Sequence, residues 1–130
     1  MVVLDSWALL AYLKDEPAAG RIEAEWLESG AGISSINLGE VLYIRSRAVG
    51  ENSARADVEK IRRRLTVIDP DWPMVAAAAA IKADGGLSYA DAFCVATAVH
   101  LGAPLWTGDP EIVDQAAQHS CEVIDLRTDA

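Results

Sequence analysis

Residues 2–13 read VVLDSWALLAYL. A short apolar run, too brief for a helix, meets Asp5, and from Ser6 the apolar residues take up a different rhythm, that of a helix. A carboxylate thus stands where a strand hands over to a helix. Two readings compete. Asp5 can be an N-cap, its side-chain oxygen accepting an amide hydrogen from the first turn. It can also mark the edge at which open α/β sheets, with their strand ends and helix starts, place their ligands.

Outward from that junction the theme repeats. SWALLAYLKDEP reads as a helix stopped by Pro17, and AAGRIEAEWLESG as a second, with Ile22, Trp26 and Leu27 at helical spacing and Gly30 as its stop. AGISS is a short strand. INLGEVLYIRSRAVG is a helix with Leu38, Val41, Leu42 and Ile44 inward and Gly50 at its end. SARADVEKIRRRL is a charged amphipathic helix, with Arg62, Arg63 and Arg64 near its C-terminus, where cations suit the dipole. LTVID is a strand closed by Pro70, and DWPMVAAAAAIKADGG an alanine-rich helix ended by two glycines. LSYADAFCVATAVHLG is so nearly all apolar that its helix must be central and buried. APLWTGDPEIVDQAAQH supplies a strand, a turn at Gly108 to Pro110 and a short helix, and CEVIDL a last strand. Strands alternating with helices predict an α/β fold whose central, mostly parallel sheet is covered on both faces. The length of 130 residues suits one domain, residues 1–130.

Composition narrows the class. The 52 % hydrophobic content is ample for a core. Every apolar run falls short of the roughly 18 residues of a membrane span, and MVVLD lacks the basic segment of a signal peptide, so the chain reads as soluble and cytoplasmic with no membrane partner. Cys94 and Cys121 show no metal-ligand pairing and are too few for a disulfide scaffold, so they read as free thiols. A net charge of −9 argues against nucleic acid, which normally leaves a basic footprint. Its distribution qualifies that. Residues 45–64 hold seven cations against three anions, a local +4, and the remainder carries −13. The window is either a solvated helix face or a basic strip beside an acidic site.

Four acids fall at equivalent places. Asp5 follows the first strand and Asp109 the strand PLWT, Glu40 lies in the second turn after GISS, and Asp91 in the first turn of the buried helix. Each has an ordinary reading: Asp91 can close a capping box with Ser88, Asp109 before Pro110 suits a cap, and Glu40 can be solvated. Together they converge, because a parallel sheet gathers strand ends and helix starts along one edge. Two like charges about 4 Å apart repel by roughly 4 kcal/mol at an effective dielectric of 20. Such a cluster must hold protons or bind a cation. Oxygen-only ligands select a hard ion, Mg2+ or Mn2+, and an activated water beside that ion hydrolyses phosphodiesters.

Rival chemistries lack their residues. There is no G-x-S-x-G elbow and no phosphate-cradling glycine loop. Cys94 and His100 lie on different faces of one helix, and His100 and His119 read as structural. Trp7 occupies the place where an aspartate-nucleophile phosphatase would need its second Asp, and Asp69 before proline is a poor receiver phosphosite.

The segments LDSWALLAYL, ISSINLGEVLYI and, above all, LSYADAFCVATAVHLGAPLWTGDPE resemble the PIN domains, specifically the VapC toxins of toxin-antitoxin pairs. The resemblance implies a three-layer α/β/α sandwich and an Mg2+- or Mn2+-dependent endoribonuclease. Its acidic set would be Asp5, Glu40, Asp91 and Asp109, with Ser6 and Thr107 as hydroxyls that orient carboxylates. Glu111 and Asp114 are read as solvated helix residues, or as holders of an outer water. Trp7 departs from the small polar residue common in the family; it can stack on a base, fill the core or meet a partner. The resemblance further implies a VapB-like antitoxin whose tail crosses the acidic cleft, a homodimer within the toxin-antitoxin complex, and an RNA substrate. Arg45, Arg47, Arg62, Arg63 and Arg64 are the candidates for its phosphates. Two alternatives stay open: an inactive PIN-like module whose cleft docks a protein, and a processing nuclease without an antitoxin.

Overall fold

The computed structural model describes residues 1–128. Its sheet has the order β3-β2-β1-β4-β5, with β1 Val2–Leu4, β2 Ala31–Ser34, β3 Thr66–Ile68, β4 Leu105–Thr107 and β5 Val123–Asp125. Each pairing is parallel, so the expected mostly parallel sheet is parallel throughout its five strands. The helices are α1 Ser6–Leu13, α2 Ala19–Ser29, α3 Ser35–Val49, α4 Glu51–Arg62, α5 Trp72–Ala83, α6 Tyr89–Leu101 and α7 Pro110–Asp114.

Strand order and handedness decide the layers. From β1 to β3 the chain walks one way across the sheet, and from β3 through β4 to β5 it walks the other. Right-handed crossovers then put α1 to α4 on one face and α5 to α7 on the opposite face. The pleat agrees. Val2 and Leu4 join Leu9, Ile22, Trp26, Val41 and Val58 in one apolar cluster. Val3, between them, points the other way, into a cluster with Cys94, Val95, Leu105 and Ile112. The reversal of direction lies between β1 and β4, the position at which open sheets leave a crevice beyond their carboxyl ends.

Local chemistry sets the helix ends. Asp5, Ser34, Ser88 and Asp109 cap α1, α3, α6 and α7, each side chain accepting a backbone N–H of the first turn. Gly50 ends α3 at φ +90° and lets α4 begin at once. The apolar helix α6 is buried from Asp91 to Ala98 as expected, with Ala92, Phe93 and Ala96 against Ala78 of α5. One inward expectation fails: Leu27 is 74 % exposed. It lies about 100° round the helix from Trp26, and the indole takes the core position. Leu42 and Ile44 are half-buried, since α3 lies between the core and solvent there.

Candidate active site

The register of the sheet brings the first pair of site residues together. Leu4 pairs with Trp106, so the next residues, Asp5 and Thr107, stand side by side at the carboxyl ends of β1 and β4. The Thr107 hydroxyl donates to Asp5 Oδ2, and Asp5 Oδ1 accepts the Ala8 N–H at 2.8 Å. Both readings of Asp5 therefore hold at once: it caps α1 and it sits at the sheet's crevice, only 1 % exposed. Thr107 Oγ1 also accepts the Asp109 N–H at 2.9 Å, which ties the turn after β4 to the same hydrogen-bond chain.

Three more acids close around this pair. Asp91, in the first turn of α6, Asp109 and Glu111 each bring a carboxylate oxygen to within 4.8 Å of the other two. Glu111 gets there because Asp109 caps α7 through the Glu111 N–H at 2.8 Å, folding the turn back on itself. Glu40 comes from α3, its Oε1 accepting the Ser6 hydroxyl at 2.5 Å. The four expected acids and both expected hydroxyls thus meet at one edge. Asp114 stays at the surface, within 4.0 Å of Arg127.

Electrostatics shows a site short of positive charge. Burial, with the charges of Asp91 and Asp109 added, raises the Asp5 pKa to about 7, although the hydrogen bonds from Thr107 and Ala8 pull it down. Asp91 is raised to about 6, mainly by burial and then by Asp109, with Glu40 and Glu111 contributing. Among the described residues, no Lys or Arg pairs with any of the five acids. A divalent cation fits this donor set: all ligands are oxygen, and an ionised carboxylate offers about four lone-pair directions, of which Asp5 commits two.

Trp7 and Asn37 pack against the segments that carry the acids. The Trp7 indole lies against Gly108 so closely that an added β-carbon would meet it at 2.3 Å, and its other side joins the α1 side of the core. Trp7 therefore fills space and backs the turn that carries Asp109. Asn37, which the sequence reading did not single out, is fully buried in the first turn of α3, where its Nδ2 donates to the Ala90 carbonyl of α6 at 2.9 Å. A polar residue amid Ile36 and Leu38 was the only signal available for it.

The arginines separate. Arg64 stacks on Trp26 at 4.7 Å and bonds to the Tyr12 hydroxyl and Glu23, locking α1 and α2 to the turn after α4. Arg45 pairs with Asp57 and Arg62 with Glu59, while Arg47 stacks on Tyr43. Arg63 caps the end of α4 in solvent.

An all-parallel α/β sheet with carboxylates gathered at its switch point defines an α/β protein with an acidic site. The PIN domain family matches residues 2–118, and the chain belongs to that family. No curated protein matches it in sequence. Among solved structures, a toxin-antitoxin complex from Klebsiella pneumoniae superposes with a TM-score of 0.75 at 19 % identity, covering 97 % of this chain and 98 % of the other. DNA-bound VapBC from Salmonella typhimurium gives 0.75 at 20 % identity, with coverages of 97 % and 99 %. Mycobacterium tuberculosis VapC20, described as a sarcin-ricin loop cleaving toxin, gives 0.69 at 18 % identity, with coverages of 88 % and 94 %. The fold is that of the VapC proteins.

Proposed function

We propose that the chain, acting as one domain, is a metal-dependent endoribonuclease and the toxin of a toxin-antitoxin pair. One observation carries the reading: Asp91, Asp109 and Glu111 converge within 4.8 Å beside the buried Asp5, with no cationic side chain paired to them among the described residues. Carboxylates so placed are stable only with protons or a cation. Asp5, Glu40 and Asp91 hold Mg2+ or Mn2+, Asp109 completes the set, and Glu111 joins it. Bound there, the ion supplies Lewis-acid activation of water and of a phosphoryl oxygen.

The chain's own groups do the positioning. Thr107 fixes the Asp5 carboxylate and the Asp109 backbone together, so two acids from strand ends about a hundred residues apart keep a set relation. Ser6 fixes Glu40 in the same way. Fixed ligands lose little freedom on binding, which makes such partners worth 10- to 100-fold in metal affinity or activity as a rule of thumb. RNA is the substrate class supported by the likeness to VapC20. Its phosphates meet Arg47 and Arg63, with Arg45 and Arg62 available once they leave their carboxylate partners.

A basic antitoxin tail suits the same cleft, because a guanidinium binds two carboxylates through paired hydrogen bonds. The likeness to toxin-antitoxin complexes supports a VapB-like partner, and a toxin homodimer within that complex belongs to the same proposal.

The test is cleavage of total and structured RNA by antitoxin-free protein with Mg2+, with Mn2+ and with excess chelator, alongside Asp5→Asn and Asp91→Asn. Metal-dependent cutting that both folded variants lose is the expected result. Cutting that survives in either variant places the activity elsewhere, and an absence of cutting while a basic peptide still binds turns the domain into a docking module.

A further inference from the structure

Asn37 has no part in the acid cluster, yet it is fully buried and only half satisfied. Its Nδ2 donates to the carbonyl of Ala90, while its Oδ1 is buried without a hydrogen-bond partner among the described residues. A buried acceptor left unpaired destabilises a fold, and an apolar residue of the same shape would avoid that cost. The residue is therefore poorly explained by stability. Its bonding partner supplies the other half of the argument. Ala90 immediately precedes Asp91, and Asn37 stands one helical turn before Glu40. The single Asn37 to Ala90 hydrogen bond thus joins the first turn of α3 to the first turn of α6, between the two helices that deliver Glu40 and Asp91. Glu40 and Asp91 ride on the two helices so joined, so this bond helps to set their relation to a cation between them.

We propose that Asn37 is a positioning residue, pinning α6 to α3 so that Asp91 and Glu40 are held at the spacing that a divalent cation requires. The inference rests on the metal-site reading above.

Its test needs no RNA. Mn2+ affinity and the metal-free melting temperature are measured for the full chain and for Asn37→Leu, Asn37→Asp, Glu40→Gln and the Asn37→Leu/Glu40→Gln double variant. Leu has the same branching, lacks the unpaired acceptor and cannot donate; Asp keeps the shape but, ionised, cannot donate either. Asn37→Leu is expected to melt at or above the parent temperature yet to bind Mn2+ at least tenfold more weakly, within the range for outer partners of metal ligands. That loss shrinks to less than half in the Glu40→Gln background, because the spacing no longer serves a carboxylate there.

Parental Mn2+ affinity in folded Asn37→Leu, or an undiminished loss beside Glu40→Gln, overturns the proposal. If Asn37→Leu does not fold, Asn37→Asp takes its place in the same comparison. Failure of both to fold assigns Asn37 to the fold alone and overturns it as well. A parent that binds no Mn2+ at all instead removes the metal-site reading, a distinguishable failure.

Discussion

Thr107 does two jobs with one oxygen, donating to Asp5 and accepting from the Asp109 backbone. Thr107→Val keeps the shape and removes both, so RNA cleavage and Mn2+ affinity should each fall about 10- to 100-fold with the fold intact by circular dichroism. Parental affinity would show that Asp5 needs no orientation. The Asp5 carboxyl also links pH to stability. Its pKa of about 7 in the fold, against 3.8 for an ordinary aspartate, means that the folded chain prefers the neutral acid. Between about pH 4 and pH 7 the folded state alone holds the proton, so metal-free stability falls as pH rises through that window, and above it the full cost is present. Three units correspond to about 4 kcal/mol as a ceiling. Asp5→Asn should therefore melt several degrees above the parent at pH 8 with chelator, and by a smaller margin at pH 5. Mn2+ should raise the parent's melting temperature more at pH 8 than at pH 5; equal shifts would sink this linkage. Gly108 and Trp7 define a third residue-scale dependence. Gly108→Ala drives a β-carbon into the indole, so it should displace the Asp109 turn and weaken Mn2+ binding, and smaller Trp7→Leu should relieve the clash in the double variant.

At the scale of elements, α6 carries Asp91 at its start and seals the core with the rest of its length. Its alanines set how closely α5 can approach, with Ala92 and Ala78 fully buried. Ala92→Leu overfills that seam and should cost about 1–3 kcal/mol, read as a lower melting temperature in a thermal scan. No loss would mean that the seam holds spare room. Elements were the most legible part of the chain, because their boundaries carry local chemistry: Asp5, Ser88 and Asp109 at the starts, Gly30 and Gly50 at the stops. The four acids were legible for a related reason, since a parallel sheet obliges equivalent junctions to share an edge; Ser6 and Thr107 came only from the likeness to the family's motifs. Glu111 was not, because its place depends on how tightly Asp109 turns the chain into α7. Asn37 was not, because its partner is 53 residues away. Leu27 misled because neighbouring residues on α2 compete for one inward position and the larger Trp26 wins it.

At the scale of the whole molecule, the field is negative and most of the basic window is already paired. Arg45, Arg55, Arg62 and Arg64 face Asp57, Glu51, Glu59 and Glu23, whereas Arg47, Lys60 and Arg63 make no ion pair among the described residues. About three phosphates can then be neutralised, so RNA binding by cleavage-dead Asp91→Asn should weaken with salt along a log–log slope near −2, from about 0.7 per phosphate of a single strand. A slope beyond about −5 would mean that the paired arginines open to receive RNA. The same architecture has a consequence for the order of events in the cell. Thr107 must find Asp5 across 102 residues of chain, and β4 must slot in beside β1 before those two strand ends meet. Contacts of such long range come late in assembly, after nearer helices and strands have paid their own ordering entropy. A nascent polypeptide emerging as far as α6 already displays Asp5, Glu40 and Asp91, yet it has no fourth strand on which to gather them. On the proposed function, the half-made chain carries an unfinished site: until β4 has joined β1, nothing gathers these carboxylates around a cation.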